Sequence, residues 1–270
     1  MPARFSLRLA LSWTLLATVG LWLGIALVLA LFPKAGQSIV LLGFVQVAVY
    51  ALVLSLFASA QGVPFSAPLA LRRVPARLWL SAVALGFVLQ IPATLLSDLV
   101  EHFFPTSAVV LAERVARITP HSRLEGAAIF LVVALLGPCV EELFFRGALF
   151  GALRQSHDAL ATALAVAALF ALGHMDARLL LPLFVTALVI GLVRERSGSV
   201  WPGVALHGAF NAATLAVVFA GGAADGKPPH MPLATAIFGC AATALLLLQV
   251  LRLAASSRAR AARAELERAR

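Results

Sequence analysis

The stretch GAAIFLVVALLGPCVEELFFRGALFGA, residues 126–152, decides the fold class of this chain. As a helix it is long enough to cross the roughly 30 Å of bilayer hydrocarbon, yet it carries Glu141, Glu142 and Arg146 among apolar residues. An ionisable side chain at mid-membrane depth costs at least ~2.5–3.5 kcal/mol, so such residues usually face the interior of a bundle. The stretch therefore predicts an inner transmembrane helix with functional charged residues.

Seven further apolar runs flank this one. Of 270 residues, 61% are hydrophobic and 12% are charged, whereas a soluble domain carries about 25% charged residues. Backbone groups in lipid must be hydrogen-bonded within their own segment, so the runs are predicted to be helices. Several such runs exclude a signal peptide as the only hydrophobic element. The predicted fold is an all-α, polytopic transmembrane bundle with an intramembrane polar cavity and about eight spans, at 9–32, 39–60, 77–100, 126–152, 159–175, 179–193, 201–220 and 233–252.

The net charge of +9 does not indicate nucleic acid binding, because the basic residues cluster at the ends of the apolar runs. With eight spans, both chain ends lie on the side that carries most of the Arg and Lys residues, which the positive-inside rule makes cytoplasmic. The Arg-rich and Ala-rich composition favours a bacterial inner (plasma) membrane. The basic residues of the cytoplasmic side are Arg4, Arg8, Arg72, Arg73, Arg77, Arg154, Arg194, Arg196, Arg252 and the arginines of 258–270; those of the other side are Lys34, Arg114, Arg117, Arg123, Arg178 and Lys227.

Two segments outside the spans are also expected to be helical. In the outer connection 104–124, residues 108–118 predict a short interfacial helix. The basic tail 254–270 either lies against anionic lipid or ends as a solvated helix. Within the spans, Gln46 and Gln90 are expected to form hydrogen bonds between helices.

The charged residues of the fourth span have unequal surroundings. Glu142 and Arg146 are one helical turn apart and can form an ion pair. Glu141 points about 100° away and has no local counter-ion, so it is the better candidate for a general base or acid. The alternative is a single ion-pair network that only holds helices together.

Further polar residues lie in two other apolar spans. His174 ends the fifth span, and His207 and Asn211 lie four residues apart in the seventh. A lone histidine near a helix end is usually an interfacial residue. Together with the glutamates, however, these groups would supply a base, a proton carrier and hydrogen-bond donors for an oxyanion.

Three motifs in order carry a family resemblance over roughly residues 125–220. The chain resembles the CAAX-protease and bacteriocin-processing family, also called the CPBP or Abi family. The resemblance implies an intramembrane glutamic or metallo-endopeptidase in the lipid bilayer, with membrane-embedded or lipid-modified protein or peptide substrates. The motifs are Glu141-Glu142-x-x-x-Arg146, Phe170-x-x-x-His174 and His207-x-x-x-Asn211.

The resemblance also implies roles for individual residues. Glu141 would activate water with the help of His174, and His207 and Asn211 would stabilise the tetrahedral oxyanion. A cofactor is not required in this interpretation. A three-ligand Zn²⁺ site made of Glu141, His174 and His207 is the other interpretation, but Glu141 cannot easily be both a ligand and the only base. The two remaining motif residues would support the site: Glu142 and Arg146.

Apolar side chains near the motifs complete the expected site. Cys139 is expected to be a small packing residue rather than a nucleophile. Four aromatic residues are expected to line a substrate cavity: Phe144, Phe145, Phe170 and Phe210.

The chain divides into three predicted regions. Residues 1–124 hold the first three spans and the outer connection, 125–220 the catalytic core, and 221–270 the last span and the basic cytoplasmic tail. Two alternatives to a protease stay open. One is a catalytically silent immunity or partner-binding membrane protein, and the other is a transporter or proton relay that uses the paired carboxylates.

Overall fold

The computed structural model describes residues 5–33, 38–221 and 231–268. This part of the chain is helical and contains no β-strand, which confirms the predicted all-α fold. A short 3₁₀ turn at Ala67–Leu69 precedes the third helix. The described residues form nine helices: α1 (Leu7–Leu31), α2 (Ile39–Ala60), α3 (Ala76–Phe103), α4 (Ala108–Ile118), α5 (Arg123–Leu153), α6 (Ala159–Gly173), α7 (Leu180–Ser197), α8 (Trp201–Phe219) and α9 (Leu233–Arg268).

Six of these helices, α1, α2, α3, α5, α8 and α9, are long and apolar enough to cross a membrane. The other two predicted spans are α6, which has only 15 residues, and α7, which carries Arg194 and Arg196 in its last turn. Large apolar side chains are exposed on the bundle surface, including Leu23 of α1 and Leu80 of α3. Such a surface is suited to lipid rather than to water.

The helices alternate in direction, which gives the bundle two distinct ends. At the terminal end, where α1 begins, the ring centroids of Phe5 and Phe57 are 5.8 Å apart. Arg154 forms an ion pair with Glu195 at 2.9 Å, and Arg258 of α9 donates to the Glu195 carbonyl oxygen at 2.6 Å. The C-terminal segment is therefore helical as far as Arg268 and contacts the bundle.

The opposite end, here called the loop end, carries α4. The predicted helix at 108–118 is confirmed, and none of its side chains is buried. Arg114 of α4 pairs with Asp176 at 2.7 Å, while Arg178 donates to the Phe104 carbonyl oxygen at 3.1 Å. Four basic residues used in the orientation argument lie outside the described residues: Arg4, Lys34, Lys227 and Arg270.

α5 is not a uniform α-helix. Two π-helical stretches, Leu131–Leu136 and Leu143–Leu149, flank a short α-helical segment at Gly137–Glu142. Pro138 lies in this segment and has no backbone N–H to donate. The widened turns change the phase of the helix around Glu141, as π-bulges often do at functional sites.

The contact between α3 and α8 depends on a glycine. A Cβ atom at Gly86 would clash with the Leu206 carbonyl oxygen and would lie 2.8 Å from the Cβ atom of Ala209. The two helix backbones can approach this closely only because no side chain stands between them.

We predict that Gly86→Ala lowers the free energy of unfolding by about 1–3 kcal/mol, the usual cost of overpacking a tight contact. Unfolding of the purified protein in detergent measures this effect. Gly151→Ala is the matched control, because the nearest atom to its Cβ is the Pro68 carbonyl oxygen at 3.7 Å. Equal melting temperatures for the two variants would contradict the prediction.

Candidate active site

The site is built around a fully buried ion pair. Arg146 Nη1 donates to Glu142 Oε1 at 2.9 Å, and both side chains have 0% exposure. This confirms the predicted pairing along one helix face. Arg146 Nη2 also donates to the Ala187 carbonyl oxygen of α7 at 2.9 Å, and the guanidinium lies 4.7 Å from the Phe170 ring centroid. A buried pair needs such additional partners to offset the loss of hydration.

Glu142 also orients His207 of α8. Glu142 Oε1 lies 3.0 Å from Nδ1 of the imidazole. A carboxylate that pairs with Arg146 can only accept hydrogen bonds, so Nδ1–H is the donor. The opposite ring nitrogen, Nε2, lies 3.8 Å from Glu141 Oε2. One carboxylate therefore holds the ring while the ring presents its other nitrogen to the second carboxylate.

Glu141 lies in a cavity of about 250 Å³ between α1, α2, α5 and α8. Gln46 of α2 donates from Nε2 to Glu141 Oε1 at 2.5 Å. Gln46, Glu141 and Asn211 are the polar side chains of this cavity, and its other walls are aliphatic or glycine and proline. Glu141 thus has a cavity on one side and a neutral amide donor on the other.

Asn211 reaches the site because of the irregular backbone of α5. The Gly137 N–H bonds to the Val132 carbonyl, five residues earlier. The equivalent bond to the Val133 carbonyl would come from the N–H of residue 138. Residue 138 is a proline and has no N–H, so the Val133 carbonyl lacks that donor. Asn211 Nδ2 donates to Val133 O at 2.9 Å. The amide keeps a second N–H and faces the cavity that holds Glu141.

His174 occupies a different position from His207. It caps α6 and is exposed, and its Nδ1 lies 2.8 Å from the Phe170 carbonyl oxygen. The Phe170 ring contacts both imidazoles, with centroid distances of 4.7 Å to His174 and 5.8 Å to His207. His174 does not line the cavity around Glu141.

The four phenylalanines that were expected to line a substrate cavity do not line the cavity around Glu141. Phe144, Phe145 and Phe170 are at most 2% exposed and pack edge-to-face in a core. The ring centroids are 4.9 Å apart between Phe144 and Phe145 and 5.1 Å apart between Phe145 and Phe170. Phe210 packs against a second core beside α3. Aromatic rings fill space best in the dense interior, so the cavity is lined by smaller aliphatic residues instead.

The expected metal ligands do not form a cage. Among the described residues, no group of three or more His, Cys, Asp and Glu side chains is arranged to hold a metal ion. Glu141, His174 and His207 therefore do not fit a three-ligand Zn²⁺ site in this conformation. Whether activity depends on a metal stays a prediction.

Two glutamines were expected to bond between helices, and both do so. Gln90 donates to the Phe210 carbonyl oxygen and to Thr214 Oγ1, each at 2.6 Å. Gln46 bonds to Glu141, and the sequence alone did not predict this partner. The feature that pointed to a polar contact was a single amide side chain in the middle of an apolar span. Cys139 is half-buried and forms no disulfide, and its role as a packing residue stays a prediction.

A comparison with known protein families gives a match over part of the chain. Residues 123–213 are similar to a family described as type II CAAX prenyl endopeptidase Rce1-like. No curated protein and no solved structure matches the chain. The matched segment runs from the start of α5 into α8 and holds all the motif residues named above, whereas α1 and α2 lie outside it.

We predict that Arg146→Met lowers the free energy of unfolding by about 3–5 kcal/mol, because Glu142 would be left buried without its counter-ion. Arg154→Met is the matched control, since that ion pair with Glu195 is partly exposed and should contribute at most about 1 kcal/mol. Unfolding in detergent compares the two variants. A smaller loss for Arg146→Met than for Arg154→Met would contradict the prediction.

Proposed function

Through residues 123–213 this chain belongs to the Rce1-like family of type II CAAX prenyl endopeptidases, and from that premise we propose that it hydrolyses peptide bonds of membrane-associated substrates by means of Glu141 and His207. The observation that carries the proposal is the position of Glu141 at the cavity, with Oε2 3.8 Å from His207 Nε2. A protease of this kind needs a base beside a site that both water and peptide can reach.

His207 is proposed to donate from both ring nitrogens during the reaction. Nδ1–H bonds Glu142 Oε1, 3.0 Å away, and Nε2–H donates toward the oxygen of a scissile carbonyl.

The proposed reaction begins when Glu141 accepts a proton from water. The resulting hydroxide attacks the carbonyl carbon, and the second N–H of Asn211 together with His207 Nε2–H stabilises the oxyanion. The proton held by Glu141 passes to the leaving amine nitrogen as the C–N bond breaks. The products are a carboxylic acid and an amine, so one water molecule is consumed for each bond cleaved.

His174 is proposed as an assistant of Glu141, as the family resemblance implies. A carbonyl oxygen accepts hydrogen bonds only, so Nδ1 must carry the proton that bonds Phe170 O. Nε2 of a neutral His174 then has a free lone pair. Its contact with the Phe170 ring, which also touches His207, supports a place at the edge of the site.

We also propose which membrane holds the protein and how it is oriented there. Six apolar helices and a membrane protease family support an integral membrane protein. We assign it to a bacterial inner (plasma) membrane with both termini in the cytoplasm. The clustering of Arg154, Arg194 and Arg258 at the terminal end supports this orientation.

We predict that Glu141→Gln reduces cleavage by at least about 100-fold, since a general base contributes roughly 10²–10⁴-fold. Cleavage is measured with a quenched fluorescent peptide that ends in a prenylated CAAX sequence. A second readout compares the tryptic peptides of membrane proteins from membranes with and without the enzyme. Cys139→Ala is the control and should keep full activity. Unchanged cleavage by Glu141→Gln would overturn the protease assignment.

A metal test accompanies this experiment. We expect activity to persist in the presence of a zinc chelator and elemental analysis to find less than one metal ion per chain. Loss of activity with chelator and recovery with Zn²⁺ would instead assign a metal to the site.

A further inference from the structure

We propose that Gln46 of α2 is a positioning residue of the candidate site, which holds the carboxyl group of Glu141 so that Oε2 faces His207. The inference rests on the proposed function, because it assigns a role in the same reaction to a further residue. Gln46 lies outside the segment 123–213 that matches the family, since α2 spans Ile39–Ala60.

The two oxygens of Glu141 have different partners. Gln46 Nε2 donates to Oε1 at 2.5 Å, and Oε2 lies 3.8 Å from His207 Nε2. The last torsion of a glutamate side chain is broad and roughly two-fold, so rotation about it would exchange the two oxygens. A hydrogen bond that holds one oxygen on the side of α2 therefore keeps the other on the side of α8.

A close contact between α2 and α5 brings Gln46 within reach of Glu141. A Cβ atom at Gly43 of α2 would lie 2.7 Å from the Cβ atom of Val132 of α5, so the two helices can approach this closely only at a glycine. Gly43 and Gln46 are three residues apart and share one face of α2. The face that packs against α5 at Gly43 therefore carries the amide one turn later.

The surface of α5 beside Glu141 leaves room for this amide. A Cβ atom at Gly137 would lie 2.9 Å from the Val132 carbonyl oxygen and 3.5 Å from Gln46 Oε1. Gly137 and Glu141 are four residues apart in the α-helical segment Gly137–Glu142, so they share one face of it. Gln46 thus lies along one turn of α5, with its amide oxygen beside Gly137 and its amide nitrogen on Glu141.

The other polar groups near Glu141 are engaged elsewhere or lie farther away. Asn211, the second amide that lines the cavity, donates from Nδ2 to the Val133 carbonyl oxygen at 2.9 Å. The 3.8 Å between His207 Nε2 and Glu141 Oε2 exceeds the length of a hydrogen bond. The contact with Gln46 is therefore the one short enough to fix the rotation of the carboxyl group.

Gln90 of α3 offers a matched comparison for Gln46. Its amide also bonds between helices, to the Phe210 carbonyl oxygen and to Thr214 Oγ1, each at 2.6 Å. Both glutamines thus stabilise helix packing through an amide donor, whereas the partner of Gln46 is a residue of the proposed reaction. Methionine at either position removes the amide and keeps a side chain of similar length.

We predict that Gln46→Met lowers kcat by about 10- to 100-fold with little change in KM, because a small misplacement of a catalytic group has effects of this size. An equal fall of kcat and kcat/KM indicates an interaction that acts on the reacting groups rather than on substrate binding. Cleavage of the quenched fluorescent peptide by the full chain in detergent measures both constants, and kcat is expressed per folded molecule.

Two further variants accompany Gln46→Met. Gln90→Met is the control, which should lose stability to a similar extent and keep its kcat. Gln46→Asn keeps a neutral amide on α2 but shortens the side chain by one methylene, so the amide no longer holds Oε1 in the same place. We expect Gln46→Asn to lower kcat by at least about 10-fold, and this variant decides the question if Gln46→Met does not fold.

Three results would overturn the role of Gln46. The first is a wild-type kcat for the Gln46 variants while Glu141→Gln is inactive. The second is an equal fall of kcat in Gln46→Met and Gln90→Met that follows their loss of stability. The third is a raised KM at unchanged kcat, which would place Gln46 in substrate binding.

Failure of the proposed function gives a different result. In that case Glu141→Gln cleaves the peptide as fast as the wild type does, and the role of Gln46 falls with the role of Glu141. An inactive Glu141→Gln together with fully active Gln46 variants instead leaves the proposed function standing and removes only the positioning role.

Discussion

The buried contact between Glu142 and Arg146 constrains the arrangement of the helices around it. Neither side chain reaches solvent, and lipid cannot replace the hydration that each has lost. Arg146 therefore takes a carbonyl of α7 as a further acceptor, and Glu142 takes the imidazole of α8 as a second donor. α5, α7 and α8 are held together by the need to satisfy these two charges.

The two adjacent carboxylates have different surroundings in this arrangement. Glu142 is fully buried and orients a histidine. Glu141 faces a cavity, accepts a hydrogen bond from a neutral amide and lies 3.8 Å from one nitrogen of that histidine. Neighbouring acids with such unequal surroundings commonly divide structural and chemical work between them.

The backbone of α5 shapes the candidate site as much as its side chains do. Pro138 cannot donate a hydrogen bond, and the π-helical turns beside it leave the Val133 carbonyl to an external partner. Asn211 becomes that partner, which draws α8 toward α5 at the level of the cavity. The helices outside the matched family segment complete the site, because α1 supplies a wall and α2 supplies Gln46.

The sequence by itself determined the helical class, the positions of the long helices, the short helix α4 and the pairing of Glu142 with Arg146. These features depend on hydropathy over one helix length or on residues one turn apart, and such local patterns can be recognised in the sequence. The tertiary structure alone decided that Gln46 meets Glu141, that Asn211 meets Val133 and that the phenylalanines fill a core rather than a cavity wall. It also placed His174 outside the cavity that holds Glu141. Those contacts join residues that are distant in sequence or depend on the rotation and depth of whole helices. Packing against several neighbours and the π-turns of α5 set that rotation, and no single segment encodes it.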